Sequence, residues 1–326
     1  LQAAAELAPA RSASPRVHLF YYGWYAAPPL DVAYRHWDQA GHRPPESIAA
    51  DMRPTLGPYS SRSPSVLRQH MAWARRAGAG VLVASWWGPD SFEDRQLDLL
   101  LDAAAAAELG VAIHVEPYVG RTPRRAMSDL AALLDRVGEH AALHRVDGRP
   151  VVYVFEALRS PAPAWASAIE AMRGEVSGPL LLGQTTDAGW LDRAGFDGGY
   201  PYDILPLFDE APADAGWPML AEAFAEHGLI FVPSIGPGYL DDAAVPDGVE
   251  EPAAARTRDA GELRTYRRAW ASVARLEPPW VTVTSFNEWH EGTQIEPHVD
   301  DAGRADLRAL DVTAELSARW LDGVRR

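Results

Sequence analysis

The chain has 326 residues, a formal net charge of −15 and no cysteine, and because its 30 basic residues are all arginine it has no lysine either. These facts exclude a disulfide, a thiol nucleophile and a cysteine metal site, together with Schiff-base chemistry and a phosphate-loop lysine. The acidic balance argues against nucleic acid and anionic membrane as partners, since both favour basic surfaces, and suits a neutral substrate.

Leu1 to Arg16 lacks an initiator Met and reads as a flexible Ala/Pro/Ser lead-in left after a signal was trimmed, which favours an exported protein, periplasmic or extracellular. No apolar run reaches the roughly eighteen residues of a membrane span. From Val17 onward, short apolar runs alternate with longer amphipathic stretches in eight units. The predicted strands are Val17–Tyr25, Gly80–Trp87, Val111–Tyr118, Pro150–Ala157, Pro179–Thr186, Gly195–Tyr202, Leu229–Ser234 and Trp280–Phe286. Helical patterns fall at Pro64–Ala77, Asp94–Leu109, Pro123–His144, Pro163–Arg173, Asp214–His227, Asp259–Leu276 and Arg304–Leu321, while Thr186 to Gly195 is too short to read as one. Gly78, Gly80, Gly110 and Gly228 stand where helices should stop. Alternating β and α with apolar strands means a parallel sheet, and eight repeats mean closure into a single α/β domain, a (β/α)₈ TIM barrel over residues 17–326. An open doubly wound sheet is the other arrangement, but no GxGxxG follows any strand. The least regular stretch, Gly236–Ala255, follows the seventh strand on the presumed active face and has the length of a lid or binding loop.

In such a barrel the loops after the strands build the site, so scattered residues converge on one rim. The first strand delivers Tyr22, Trp24 and Tyr25, then Asp31, Tyr34, His36 and Trp37; the second delivers Trp86, Trp87 and Asp90. His114, Glu116, Tyr118 and Arg121 follow from the third, Glu156 from the fourth, Asp187 from the fifth, Tyr202 and Asp203 from the sixth, Ser234 and Tyr239 from the seventh. With twelve Trp and eleven Tyr available to stack on sugar faces, a carbohydrate cleft is the economical reading. Each residue has a plainer one. His114 lies in an apolar run and fits a hydrogen-bonded core histidine; Glu116 either pairs with Arg121 or faces substrate. Trp86 and Trp87 point to opposite sides, so only one lines the cleft. For His36 the plainer reading is a buttress of the first loop, for Asp203 a cap or pairing role, and for Glu156 a pair with Arg159.

The densest cluster is Trp280 to Pro297, WVTVTSFNEWHEGTQIEP, where a β-branched run ends in Asn287, Glu288, Trp289, His290 and Glu291. Glu288 and Glu291 are three apart, placing their Cα atoms between about 5 Å in a helical turn and roughly 10 Å if extended. Glycoside hydrolysis needs two carboxyl groups on that scale, one to protonate the leaving oxygen and one for the other face. An ExxE pair alone is usually a solvated loop, but flanking aromatics, an Asn and a His are costly there. His290, Glu291, Glu296 and His298 do not have HExxH spacing, so no metal is expected, and no G-x-S-x-G elbow supports a serine hydrolase.

Several blocks, in order along the chain, resemble glycoside hydrolase family 99, the endo-α-1,2-mannosidases and mannanases: YYGWY with HWD (Tyr21–Tyr25, His36–Asp38), SWWG (Ser85–Gly88), EPYVGR (Glu116–Arg121), PSIGPGY (Pro233–Tyr239) and SFNEWHEGTQIEP (Ser285–Pro297). The resemblance implies a (β/α)₈ barrel that cleaves inside α-mannosyl chains at α-1,2 linkages, with retention and without cofactor or metal. It implies that the substrate's own 2-hydroxyl attacks, giving a 1,2-anhydro sugar, with Glu288 as base and Glu291 as acid, then base. Glu116 and Tyr22 or Tyr25 would hold the sugar before the cleaved bond, with Trp87 stacking on the next. Tyr118, Arg121, Tyr202, Tyr239, Asn287 and His290 complete the expected substrate contacts, in a chain expected to be a monomer. Departures fall at Ala26–Ala27–Pro28, in RTRDAGELRTYRRAW and in the long seventh loop, and bear on the outer subsites, leaving three candidate substrates: a glucosylated N-glycan mannose, a fungal-type α-mannan branch or another mannoside. The alternatives are an ordinary carboxylate nucleophile and a non-catalytic glycan-binding barrel.

Overall fold

The computed structural model describes residues 13–175, 178–202, 216–244 and 263–324. Among the described residues, eight parallel barrel strands alternate with eight α-helices. The strands are β1 (Ser14–Tyr21), β2 (Ala79–Trp86), β3 (Gly110–Val115), β4 (Arg149–Val154), β5 (Leu180–Gln184), β6 (Gly198–Tyr200), β7 in two pieces (Ile230–Phe231 and Ser234–Ile235) and β8 (Val281–Val283). The helices are α1 (Pro64–Arg76), α2 (Leu97–Ala106), α3 (Pro123–Val137), α4 (Ala162–Glu175), α5 (Ala188–Ala194), α6 (Gly216–Glu226), α7 (Arg264–Leu276) and α8 (Arg308–Val324).

Each strand pairs in parallel with its neighbour in sequence, and β8 returns to β1 through Val17↔Val281 and Leu19↔Val283. The ring closes at β7, whose first piece pairs with β6 and whose second pairs with β8. This is the (β/α)₈ architecture the alternation predicts.

The period of two divides the side chains between two cores. Leu19, Tyr21, Leu82, Ile113 and Val152 face outward and pack under the helices. His18, Phe20, Val83, His114, Tyr153, Leu182, Tyr200 and Thr282 fill the barrel, where polar groups meet partners: His18 Nδ1 and Trp280 Nε1 each lie 2.8 Å from the Tyr153 hydroxyl, and His114 Nε2 lies 2.7 Å from that of Tyr200. The helices cover the outer core with amphipathic faces; α1 buries Leu67, His70, Met71 and Ala74, the i, i+3, i+4, i+7 pattern of one stripe.

Some boundaries move. The short segment after β5 does form a helix, because the Asp187 side chain accepts the Trp190 amide (2.8 Å) at one end and Gly195 takes φ +79 at the other. Gly80 and Gly110 lie inside strands rather than at helix ends; a Cβ on Gly80 would sit 2.5 Å from the Ser14 carbonyl. A small antiparallel sheet of Arg53–Pro54, His298–Val299 and Ala305–Asp306 ties the loop after β1 to the loop after β8. No helix among the described residues is long and apolar enough to cross a membrane.

Candidate active site

The site stands on the loop that leaves β8. Instead of continuing to Phe286 as a strand, the chain turns back: the Ser285 amide donates to the Thr293 carbonyl (3.0 Å), and the Ser285 carbonyl accepts the Ile295 amide (2.9 Å). Phe286 donates to Phe20 of β1 and accepts from Glu296, both at 2.8 Å. Residues 287–292 therefore form the tip of a pinned loop above the barrel mouth. Asn287 fixes it to β1, its Oδ1 accepting the Tyr22 amide (2.8 Å) and its Nδ2 donating to the Tyr22 carbonyl (2.9 Å). Gly292 takes φ +59, and a Cβ there would lie 2.4 Å from the Leu240 carbonyl oxygen, so glycine alone fits. The Leu240 amide donates to the Glu291 carbonyl at 2.7 Å.

Beneath the tip, Glu296 is 1% exposed and accepts from three side chains. Tyr59 Oη (2.8 Å) and Trp289 Nε1 (2.9 Å) donate to Oε2, and His70 Nε2 donates to Oε1 (3.2 Å). His70 Nδ1 accepts in turn from the Tyr21 hydroxyl (3.0 Å), so every polar atom of this buried group is engaged.

Glu288 faces the other way. It is 3% exposed, its amide is held by Ser285 Oγ (2.8 Å), and its Oε1 accepts the His290 amide (3.0 Å). Burial, and then the charge of Glu291, pushes its carboxyl well above the ordinary carboxylate range, against the His290 and Glu291 amides that favour the charged form. The His290 ring has Nε2 2.7 Å from the His36 carbonyl, which can only accept, so Nε2 carries the proton. Burial lowers the His290 pKa, with the His36 carbonyl working the other way; the neutral ring turns a bare Nδ1 toward Glu288 Oε1 at 3.5 Å.

Half-buried Glu291 accepts from the Tyr202 hydroxyl (3.3 Å), which is itself hydrogen-bonded to the Tyr22 hydroxyl. Burial, reinforced by the surrounding carboxylates, holds both phenols well above their usual pKa, so they remain O–H donors. Tyr202 reaches this position with φ +60, its amide donating to Ser234 Oγ (3.1 Å) and its carbonyl accepting from Thr284 Oγ1 (3.0 Å). A third carboxylate, Glu116, closes the far wall. Its Oε1 accepts from Ser85 Oγ (2.8 Å) and lies 3.1 Å from His114 Nδ1, while half-buried Trp87 donates its indole N–H to the same Ser85 (3.1 Å). Trp86, on the opposite side of β2, donates to Asp94 (2.8 Å) in the outer layer.

Two carboxylates on one loop, a third across the mouth and an aromatic wall form a site suited to acid–base work on a polyhydroxylated ring. The model of glycosyl hydrolase family 99 matches residues 13–322, almost the whole chain. The chain belongs to that family. This family-99 chain, a glycoside hydrolase, is 33% identical to the glycoprotein endo-alpha-1,2-mannosidase-like protein of Danio rerio, over 94% of its length and 77% of the relative's. It is 31% identical to the glycoprotein endo-alpha-1,2-mannosidase of Rattus norvegicus, over 95% and 73%. Its fold superposes on the solved GH99 endo-alpha-mannosidase from Bacteroides thetaiotaomicron with a TM-score of 0.85 at 29% identity, covering 96% of this chain and 99% of that one.

The remaining expected contacts of this family-99 hydrolase lie apart from the reactive groups or are spent within the protein. Tyr25 is buried, donating to the Asn287 carbonyl and accepting the Trp289 amide, both at 3.1 Å. Arg121 does not pair with Glu116; its guanidinium holds the carbonyls of Val115, Phe155 and Glu156 at 2.7–3.2 Å, tying the ends of β3 and β4. Tyr118 sits in the helix layer with its hydroxyl on Asp129 (2.7 Å), and half-buried Tyr239 donates to Asp241 (3.2 Å). Glu156 pairs with Arg159. His298 lies against Asp306 (3.7 Å) and Glu296 in its buried network, so these two diverge from Glu288 and Glu291. Asp203 and the 245–255 part of the seventh loop lie outside the described residues. Tyr59 and His70, unremarked in the sequence, turn out to hold the site and nothing in their spacing marks them; Ser85, noted only as the first residue of the SWWG block, holds Glu116 and Trp87.

Proposed function

We propose that this hydrolase cleaves α-1,2-mannosidic bonds within oligosaccharide or polysaccharide chains, with retention, by way of a 1,2-anhydro sugar. The reading is supported by the endo-mannosidase names of its relatives and carried by one observation: Glu288 and Glu291 rise from the same pinned loop beside the paired hydroxyls of Tyr22 and Tyr202. In an α-mannoside the axial 2-hydroxyl is trans to the leaving group and can reach the anomeric carbon from behind.

Glu288 takes the 2-hydroxyl proton as O2 bonds to C1, the C1 bond to the leaving oxygen breaks, and Glu291 protonates that oxygen. In the second half Glu291 removes a proton from water, which bonds to C1; the C1–O2 bond opens and O2 regains its proton from Glu288. A carboxyl raised above its ordinary range is a stronger base than a solvated one, and the bare His290 Nδ1 gives the acquired proton a second acceptor. Glu116, Tyr22 and Trp87 take the sugar on the other side of the cleaved bond. Export beyond the cytoplasm suits a polymeric substrate.

Product analysis over a panel of α-1,2-linked mannosides and glucosyl-mannosides tests the reading, with internal cleavage and initial α-anomer as the expected result. Incubation with a 2-deoxy-2-fluoro mannoside tests the route. A covalent glycosyl-enzyme adduct would overturn attack by the 2-hydroxyl.

A further inference from the structure

The aromatic wall of the site continues outward past Trp24. An open groove of about 810 Å³ lies between the loop after β1 and the segment after β2, with Tyr34, Arg35, His36, Asp38 and Phe92 among its lining residues. That volume falls within the range of about 300–1,000 Å³ common for small-molecule sites. His36 belongs to both regions: it lines the groove, and its ring stacks on Trp24 at 4.5 Å and on His290 at 5.4 Å. Trp24 lies 6.3 Å from Trp87, so the aromatic surface is continuous from the reactive loop into the groove.

The lining has the chemistry of a sugar site. Tyr34 and Phe92 supply flat apolar faces, and the Arg35 guanidinium lies over the Phe92 ring at 5.2 Å, fixing a planar donor against one wall. Gln39 donates its amide N–H to His36 Nδ1 (3.0 Å), leaving the proton of the neutral ring on Nε2 as a donor. Burial, with His290 and Arg35 nearby, lowers the His36 pKa to about 3, so this donor persists across the working range of pH. The charges balance: Arg62 pairs with Asp31 at 3.3 Å and Arg35 lies 3.6 Å from Glu93, which favours a neutral ligand over an anionic one.

We propose that this groove is an outer subsite that receives a further neutral pyranose of the same glycan chain. The inference rests on the mannosidase reading and extends it to chain length. One or more sugars beyond Trp87 lie across Tyr34 and Phe92, with hydroxyls on His36, Arg35 and Asp38. Their binding energy favours long chains over the shortest cleavable ones.

The test measures kcat and KM for a ladder of α-1,2-mannooligosaccharides, in the wild type and in Tyr34→Ala and Asp38→Ala. We expect wild-type kcat/KM to rise with chain length and then level off. Each variant should lose about tenfold on the long substrates through KM, and nothing on the shortest. Equal wild-type kcat/KM at every length, or variants that keep the wild-type ratio of long to short, overturns the groove while leaving the mannosidase reading standing. A wild type that cleaves no member of the ladder overturns that reading, and the groove's assigned ligand with it.

Discussion

Glu288 and Glu296 are carboxylates eight positions apart on the same loop, both almost entirely buried, and they are treated in opposite ways. Glu296 receives hydrogen bonds from Tyr59, Trp289 and His70. Glu288 receives backbone amides, faces an imidazole lone pair and the charge of Glu291, and is held above its ordinary pKa by burial. A satisfied buried carboxylate stiffens a fold; one left short of donors beside a like charge is poised to exchange a proton. Glu296, held by Tyr59 and His70, in turn holds the indole of Trp289, the residue next to Glu288, and so fixes where the less stable carboxylate sits.

The sharpest way to break the contrast is to neutralise each acid. Glu288→Gln or Glu291→Gln should lower kcat by about 10³ or more while leaving the far-ultraviolet circular dichroism unchanged. Near-normal turnover by Glu291→Gln on a natural mannoside would sink the assignment. Glu296→Ala leaves Tyr59, Trp289 and His70 without their acceptor, and should cost about 3 kcal/mol, read as a Tm lower by roughly 5–10 °C. An unchanged Tm would remove Glu296 from the structural side of the comparison.

His290→Leu keeps the amide that binds Glu288 but removes the ring nitrogen. We expect kcat to fall about tenfold and the acid limb of kcat/KM to move to lower pH; an unaltered profile would show the ring to be a bystander. The smallest effect is on stability. A carboxyl whose pKa is raised by folding makes the folded state lose stability as pH climbs from the unfolded pKa through the folded one. Glu288→Gln should therefore melt at or above the wild-type Tm at neutral pH, with the advantage vanishing below the ordinary carboxylate range. Calorimetry at two pH values decides it.

Much of this was readable in the chain. Eight apolar runs became eight strands in the expected order, and the polar cluster after the last run is the loop that carries Glu288 and Glu291. Periodicity fails where strands end. Alternation places Tyr21 and Tyr22 on opposite faces, but past β1 it says nothing of Tyr25, which turns beneath the loop rather than into the cleft. Tyr118 likewise leaves β3 beyond Pro117 and enters the helix layer. Tyr59 and His70 reach Glu296 across 237 and 226 residues of sequence, and no local pattern encodes contacts of that range.

Gly292 carries one more consequence. With Leu240 latched to the backbone of Glu291 and its carbonyl pressed where any side chain at 292 would have to go, the segment after β7 and Glu291 behave as one mechanical piece. Reshaping that segment to admit a different glycan would drag Glu291 with it. Divergence in what the enzyme accepts has a freer course on the opposite bank, at the groove-lining side chains of Tyr34 and Asp38, whereas His36 and Trp37 beside them hold His290 and Tyr59 in place.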